Sequence, residues 1–192
     1  MSIEEQIKVL KFFNEKATKL ENGSFTKIIL HESTGVKISY SKTDQPLIEI
    51  LREGPGDESI DAFALTFRFF IQDNEKSSFR NMAKLYEQLP ISQESKIEFN
   101  EARKELNDAL DSKAPINVDG IFLTYRHIVD IFIYGGLSHA NEKKKEEYDI
   151  WMLNPFSNHL VTNEFIYVLS YVISLIFYIR DLNNRVMAEL EK

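Results

Sequence analysis

The run FIYVLSYVISLIFYI, from Phe165 to Ile179, is apolar but for two serines and the tyrosine hydroxyls, and few environments accept such a segment. A bilayer span needs about 20 consecutive apolar residues, so fifteen is short for a membrane and suited to a buried core helix. No membrane partner is expected on this ground. The helical pattern begins at Thr162 or Asn163 and continues almost to Lys192. At about 28 residues the helix is roughly 42 Å long. Its first half is apolar on every side, which predicts a central position surrounded by other helices. Its second half, from Arg180, is polar and is expected to project or to pair with a partner.

What can surround such a helix is written upstream. Ser2 and Glu5 form a capping box, and Ile3, Ile7, Leu10, Phe13 and Ala17 follow at helical spacing up to Gly23. Further helices are predicted from about residue 57 to Gln72, from Ser77 or Ser78 to before Pro90, and from the cap Ser92 to about Asp111. The last is amphipathic: Phe99, Ala102, Leu106 and Ala109 share one face, and Glu98, Glu101, Lys104, Glu105 and Asp108 cover the rest. A loop, DSKAPINVDG, precedes an apolar helix that ends at Gly135 and Gly136, and another helix runs from about Asn141 to Leu153. Three runs, FTKIILHE, GVKISYS and PLIEILRE, are rich in β-branched and aromatic residues and are separated by turn-forming STG and TDQP. They predict three short antiparallel strands. The expected fold is therefore α+β and mainly α: a multi-helix bundle around a long apolar C-terminal helix, with a small N-terminal three-stranded antiparallel sheet. Residues 1–192 read as one domain, in which 1–53 hold the first helix and the meander and 57–192 the bundle.

Composition narrows the functional classes. A chain of 192 residues with 43% hydrophobic side chains has ample material for a core. The absence of cysteine excludes disulfides, thiol nucleophiles and thiolate metal sites, and suits a reducing cytoplasm. A formal charge of −7 disfavours general phosphate-backbone binding. The opening MSIEEQIKVLKFF has acids where a secretory leader has basic residues, so no leader is expected. His31, His127, His139 and His159 show no metal-ligand spacing, and the chain lacks the phosphate-binding GxxxxGK[ST] loop, GxGxxG and GxSxG. Neither a metal nor a cofactor is expected.

One stretch nominates a site. In DIFIYGGLSHANEKKK, Asp130 to Lys145, an apolar helix stops at two glycines, presents His139 and gives way to lysines. One reading is a helix–helix corner, with a glycine taking the left-handed conformation and Asn141 capping the next helix. The other gathers polar residues of apolar helices into a binding cluster: Arg68, Gln72, Asp130, Tyr134 and Asn141, with His139 as the catalytic candidate. Arg126, Asp130 and Tyr134 share a helix face. Arg68, if buried, needs an acidic partner, and Asp130 is the first candidate, with Glu75 second. Arg126 and Asp130 could equally form an exposed pair four residues apart, and Arg68 could keep its head in water.

The apolar helix running into a small-residue corner that bears SHAN resembles the HEPN superfamily. The resemblance covers the helical part from residue 57 onward. It implies a small helical bundle, often dimeric, of a kind common in bacterial toxin and antiviral systems. Many members are metal-independent RNases with an arginine four to six residues before a histidine. That pairing suits RNA cleavage, which moves the 2′-hydroxyl proton and stabilises phosphate charge. The histidine maps to His139. The arginine positions hold Phe132, Ile133 and Tyr134, so the chain departs from the motif at its most diagnostic residue.

The sequence is accordingly read first as a soluble, cytoplasmic, non-catalytic protein that acts through a protein partner or self-association. RNA enters as a partner only under the alternative, a HEPN-like RNase or defence component using His139. A third reading is a small-molecule pocket lined by Phe and Tyr.

Overall fold

A computed structural model of the protein describes residues 1–33, 58–72, 78–118, 120–136 and 163–192. Helix α1 spans Ile3–Asn22, and its capping box forms as the sequence dictates. The Glu5 N–H donates to Ser2 Oγ (3.2 Å), and the Ser2 N–H donates to the Glu5 carboxylate (2.7 Å). The same bonds hold the Glu5 carboxyl below its ordinary value. Leu10, Phe13, Ala17 and Leu20 are buried along one face, whereas Ile3 in the first turn is exposed. Gly23, in extended rather than left-handed conformation, closes α1 by donating to the Leu20 carbonyl. The chain then turns straight into α2, Ser24–Ser33.

That second helix overturns the expected meander. FTKIILHE is helical, not a strand: Phe25, Thr26 and Ile29 are buried and Leu30 packs against the core. Spacings of one, three and four residues place them on one helical face, and α2 lays that face against the last helix and against α3, Glu58–Ile71. Tertiary packing wins over local β propensity here. GVKISYS and PLIEILRE lie outside the described residues. The sheet that the structure does contain has two strands, β1 at Lys113–Val118 and β2 at Ile121–Thr124, paired antiparallel. β1 lies within the segment read from sequence as the loop DSKAPINVDG, and β2 follows directly after that segment. Val118 pairs with Ile121, and Gly120, at φ 82°, lies in the short connection between the strands. β1 tolerates Pro115 because a two-stranded sheet is all edge, and the register slips between Lys113 and Asn117. Ala114, buried, ties the hairpin to the core.

The remaining helices are α4 at Ser78–Gln88, α5 at Gln93–Asp111, α6 at Tyr125–Gly136 and α7 at Asn163–Leu190. The mainly helical class therefore holds, with seven helices and one hairpin among the described residues. Ser92 caps α5 by accepting from the Ser95 N–H. Helix α7 packs against α5, α1 and α2, while α3 packs against α6 and bridges to α1, α2 and α4. Phenylalanines fill the junctions edge to face: Phe13 lies 5.1 Å from Phe70 and 5.5 Å from Phe79, and Phe25 lies 4.9 Å from Phe63. Such pairs contribute about 0.5–1.5 kcal/mol each beyond area burial.

Two expectations about α7 need correction. Its first half is not enclosed on all sides, because Tyr167, Tyr171 and Tyr178 are exposed. Its second half does not project. Leu182, Asn183 and Val186 are fully buried, and a polar chain crosses the core there. The Tyr86 hydroxyl donates to Asn183 Oδ1 (2.6 Å), Asn183 Nδ2 donates to Asn14 Oδ1 (3.0 Å), and Asn14 Nδ2 donates to Asn184 Oδ1 (2.9 Å). The Tyr86 ring stacks on Phe99 at 4.2 Å, so one residue couples α4 to both α5 and α7. Burial pushes its hydroxyl pKa well above the tyrosine range. By length and composition α7 could cross a membrane, and half of that apolar window is buried within the fold.

Candidate functional site

Of the polar residues nominated by sequence, Arg68, Gln72 and Asp130 fall at the contact of α3 and α6. Thr124 starts α6: its hydroxyl accepts from the His127 N–H (3.2 Å), and His127 Nδ1 lies 3.5 Å from the Thr124 N–H that faces it. This repeats the capping-box pattern with an imidazole in place of the usual carboxylate. One residue earlier, Arg126 turns inward with 16% of its side chain exposed. Its Nε donates to Asp111 Oδ1 (2.7 Å), Nη1 to the Ile71 carbonyl (2.8 Å) and Nη2 to Asn107 Oδ1 (3.2 Å). The guanidinium thus satisfies a carbonyl at the C-terminus of α3 and joins α3, α5 and α6 in one knot.

Asp130 is half-buried one turn further along α6. Burial raises its pKa above the ordinary aspartate value, and the positive charges of Arg126, His127 and Arg68 partly oppose the shift. Arg68 stands exposed in the last turn of α3, close enough to influence Asp130 electrostatically. Gln72, half-buried, follows one turn later and donates its N–H to the Arg68 carbonyl (3.2 Å). Arg68 and Asp130 therefore lie on two packed helices, with Gln72 just past the end of the first. Arg126 is engaged with Asp111 and Asn107 instead of pairing with Asp130. Tyr134 belongs to α6 by backbone, and His139 and Asn141 lie outside the described residues. The described part of this corner combines one half-buried carboxyl with cations whose clearest task is to hold helix ends. Among the described residues no group of three metal-ligating side chains converges.

A second constellation escaped the sequence reading. Helices α5 and α7 run antiparallel: the Ser92 N–H donates to Glu189 Oε1 (2.8 Å), Tyr178 Oη to Glu98 Oε2 (2.8 Å) and Tyr171 Oη to Glu105 Oε2 (2.7 Å). Arg185 Nη2 also reaches Glu98 Oε2, at 2.5 Å. On α7, Tyr167, Tyr171, Ser174 and Tyr178 form one exposed stripe. On α5, Glu94, Glu98, Glu101 and Glu105 form the facing stripe. The two make a ribbon of tyrosines beside glutamates. Hydrogen bonds from Arg185 and Tyr178 hold the Glu98 carboxyl below its ordinary value, and the Glu98 and Glu105 acceptors raise the hydroxyl pKa values of Tyr178 and Tyr171. One sequence signal was available: every polar-tipped residue of the apolar run except Ser170 falls on this stripe.

No family model, curated protein or solved structure matches this chain.

Proposed function

We propose that this chain is a soluble, cytoplasmic, non-catalytic protein that works by binding a protein partner, and that the α5–α7 ribbon is the surface it uses. The observation carrying the reading is the row of exposed tyrosines, of which Tyr167 is 63% exposed. Tyrosine is over-represented at the centres of protein interfaces because it offers large amphipathic area with few torsions to freeze. Here two of the rings are already held by Glu105 and Glu98, so part of the ordering cost of association is met before a partner arrives.

The test is native mass spectrometry of the protein purified gently from its own host, beside the double variant Tyr167→Ala/Tyr171→Ala. The wild type is expected to carry a protein partner that the variant loses. A bare monomer in both, a complex indifferent to the substitutions, or only a small bound mass would overturn the reading. Incubation of the same preparations with RNA is expected to leave it intact. Cleavage that disappears in His139→Ala would put the HEPN-like RNase reading in its place.

A further inference from the structure

Resting on the binding role proposed above, we infer that the ribbon's partner is a basic protein segment, one presenting arginine or lysine at helical spacing, and not a second copy of this chain. The argument starts from the charges that the fold leaves unpaired. Of the ribbon's acids, Glu98 is paired with Arg185, while neighbouring Asp108 is paired with Lys104. Among the described residues Glu94 and Glu101 have no cationic partner, and Glu105 has only the charge of the adjacent Lys104, whose ammonium is bonded to Asp108. Asp181 likewise has no cationic partner among them and continues the α7 stripe one turn beyond Tyr178. The face therefore carries surplus negative charge alongside exposed aromatic rings.

These two features call for the same ligand chemistry. A guanidinium or ammonium is attracted to the face of an aromatic ring and to a neighbouring carboxylate together, and the carboxylates here flank the rings along both helices. Arginine fits better than lysine because its plane can lie on a ring while its edge donates to a carboxylate. The tyrosine stripe from Tyr167 to Arg185 is about 27 Å long at 1.5 Å per residue, so a helical segment of about 18 residues would cover it. A second copy docking ribbon to ribbon would set surplus acid against surplus acid, and the chain as a whole is at −7. Nucleic acid is excluded by the same sign.

The experiment uses the full chain and two fluorescent synthetic peptides of about 18 residues, matched in length, one with arginine and one with glutamate at every third or fourth position of an alanine-rich helix. Anisotropy titrations are expected to show binding of the arginine peptide only, weakening as salt rises. Glu101→Lys/Glu105→Lys should reduce that affinity at least tenfold. Glu87→Lys, an exposed charge change on α4, should have a much smaller effect. Circular dichroism of the variants checks that the fold is retained, and Glu101→Gln, at an exposed residue, serves as a milder probe. Equal binding of both peptides, or arginine-peptide binding unchanged in the double lysine variant, overturns the basic-partner inference. If the native complex still depends on Tyr167 and Tyr171 while the arginine peptide fails, the partner's chemistry is wrong and the binding surface stands. If both fail, the surface itself is wrong.

Discussion

Replacing Tyr86 by Phe removes one oxygen atom from the centre of the molecule. That oxygen donates at 2.6 Å to Asn183 Oδ1, and Asn183 is completely buried, so no solvent replaces the bond. Leaving a buried acceptor unsatisfied costs about 1–3 kcal/mol, more than the net contribution of an ordinary hydrogen bond. The ring itself stays, with its stacking on Phe99, so the loss isolates the hydroxyl. For a chain of this size the change corresponds to a fall in Tm of about 2–12 °C. In urea, with m near 2 kcal/mol/M, the midpoint should drop by about 0.5–1.5 M at unchanged m. Asn183→Leu should be similarly costly, since it orphans the Tyr86 hydroxyl and removes the donor to Asn14. The double variant, in which both partners are apolar, should lose less than the sum by about 0.5–3 kcal/mol. Additive losses, or a Tyr86→Phe midpoint indistinguishable from wild type, would refute the claim that this bond couples α4 to α7.

The same hydroxyl makes stability fall in alkali. Its folded pKa is raised, so above the ordinary value of 10.0 the unfolded chain releases a proton that the folded chain retains, and stability declines as pH rises from there. Urea midpoints from pH 8 to 11 should show a shallower decline in Tyr86→Phe than in wild type. For Asp130, also raised, the folded chain holds its proton above the ordinary 3.8 while the unfolded chain has released it. Stability is therefore lost as pH rises through that window, and Asp130→Asn should raise Tm at pH 7, with the advantage shrinking as the pH falls towards 3.8 and gone below it. At the hairpin turn, a Cβ on Gly120 would meet nothing within 4 Å, so Gly120→Ala tests backbone strain alone. A positive φ should make it cost about 1–2 kcal/mol by thermal unfolding, with Gly120→Asn losing less.

Much of the helical frame could be read from local chemistry. Ser2 with Glu5, and Ser92 before its apolar stripe, announce helix starts that need no distant partner. The faces of α3 were legible too: Phe67 and Phe70 are buried, whereas Leu65 and Arg68 are exposed. Where local preference and tertiary burial disagree, sequence reading fails. Ile28, Ile29 and Leu30 look strand-like in isolation, and only the waiting surface of α7 makes them helical. The hairpin's first strand lies in a segment read as a loop, and its Pro115 is tolerated because a missing N–H matters little in a sheet with no interior strand. The ribbon needed more than either helix could tell. Glu98 and Glu105, like Tyr171 and Tyr178, sit seven residues apart, but their apposition depends on the antiparallel register of two segments some seventy residues apart in the chain. Of the nominated corner, Arg68, Gln72 and Asp130 could be placed, and the importance of Arg126 came from contacts with Ile71, Asn107 and Asp111 that no spacing rule anticipates.

The hairpin between α5 and α6 is closed twice at its base, by the Tyr125 N–H on the Ser112 carbonyl and by Arg126 on Asp111. Its far end, at Gly120 and Phe122, faces solvent. Because both strands leave from clamped positions, whatever is spliced in at the turn starts from fixed coordinates, and its own motions stop at the clamp. A fluorescent domain or an affinity tag inserted at Gly120 would ride on the molecule as on a short rigid mast. That makes the solvent-facing hairpin tip a natural handle by which to label this protein.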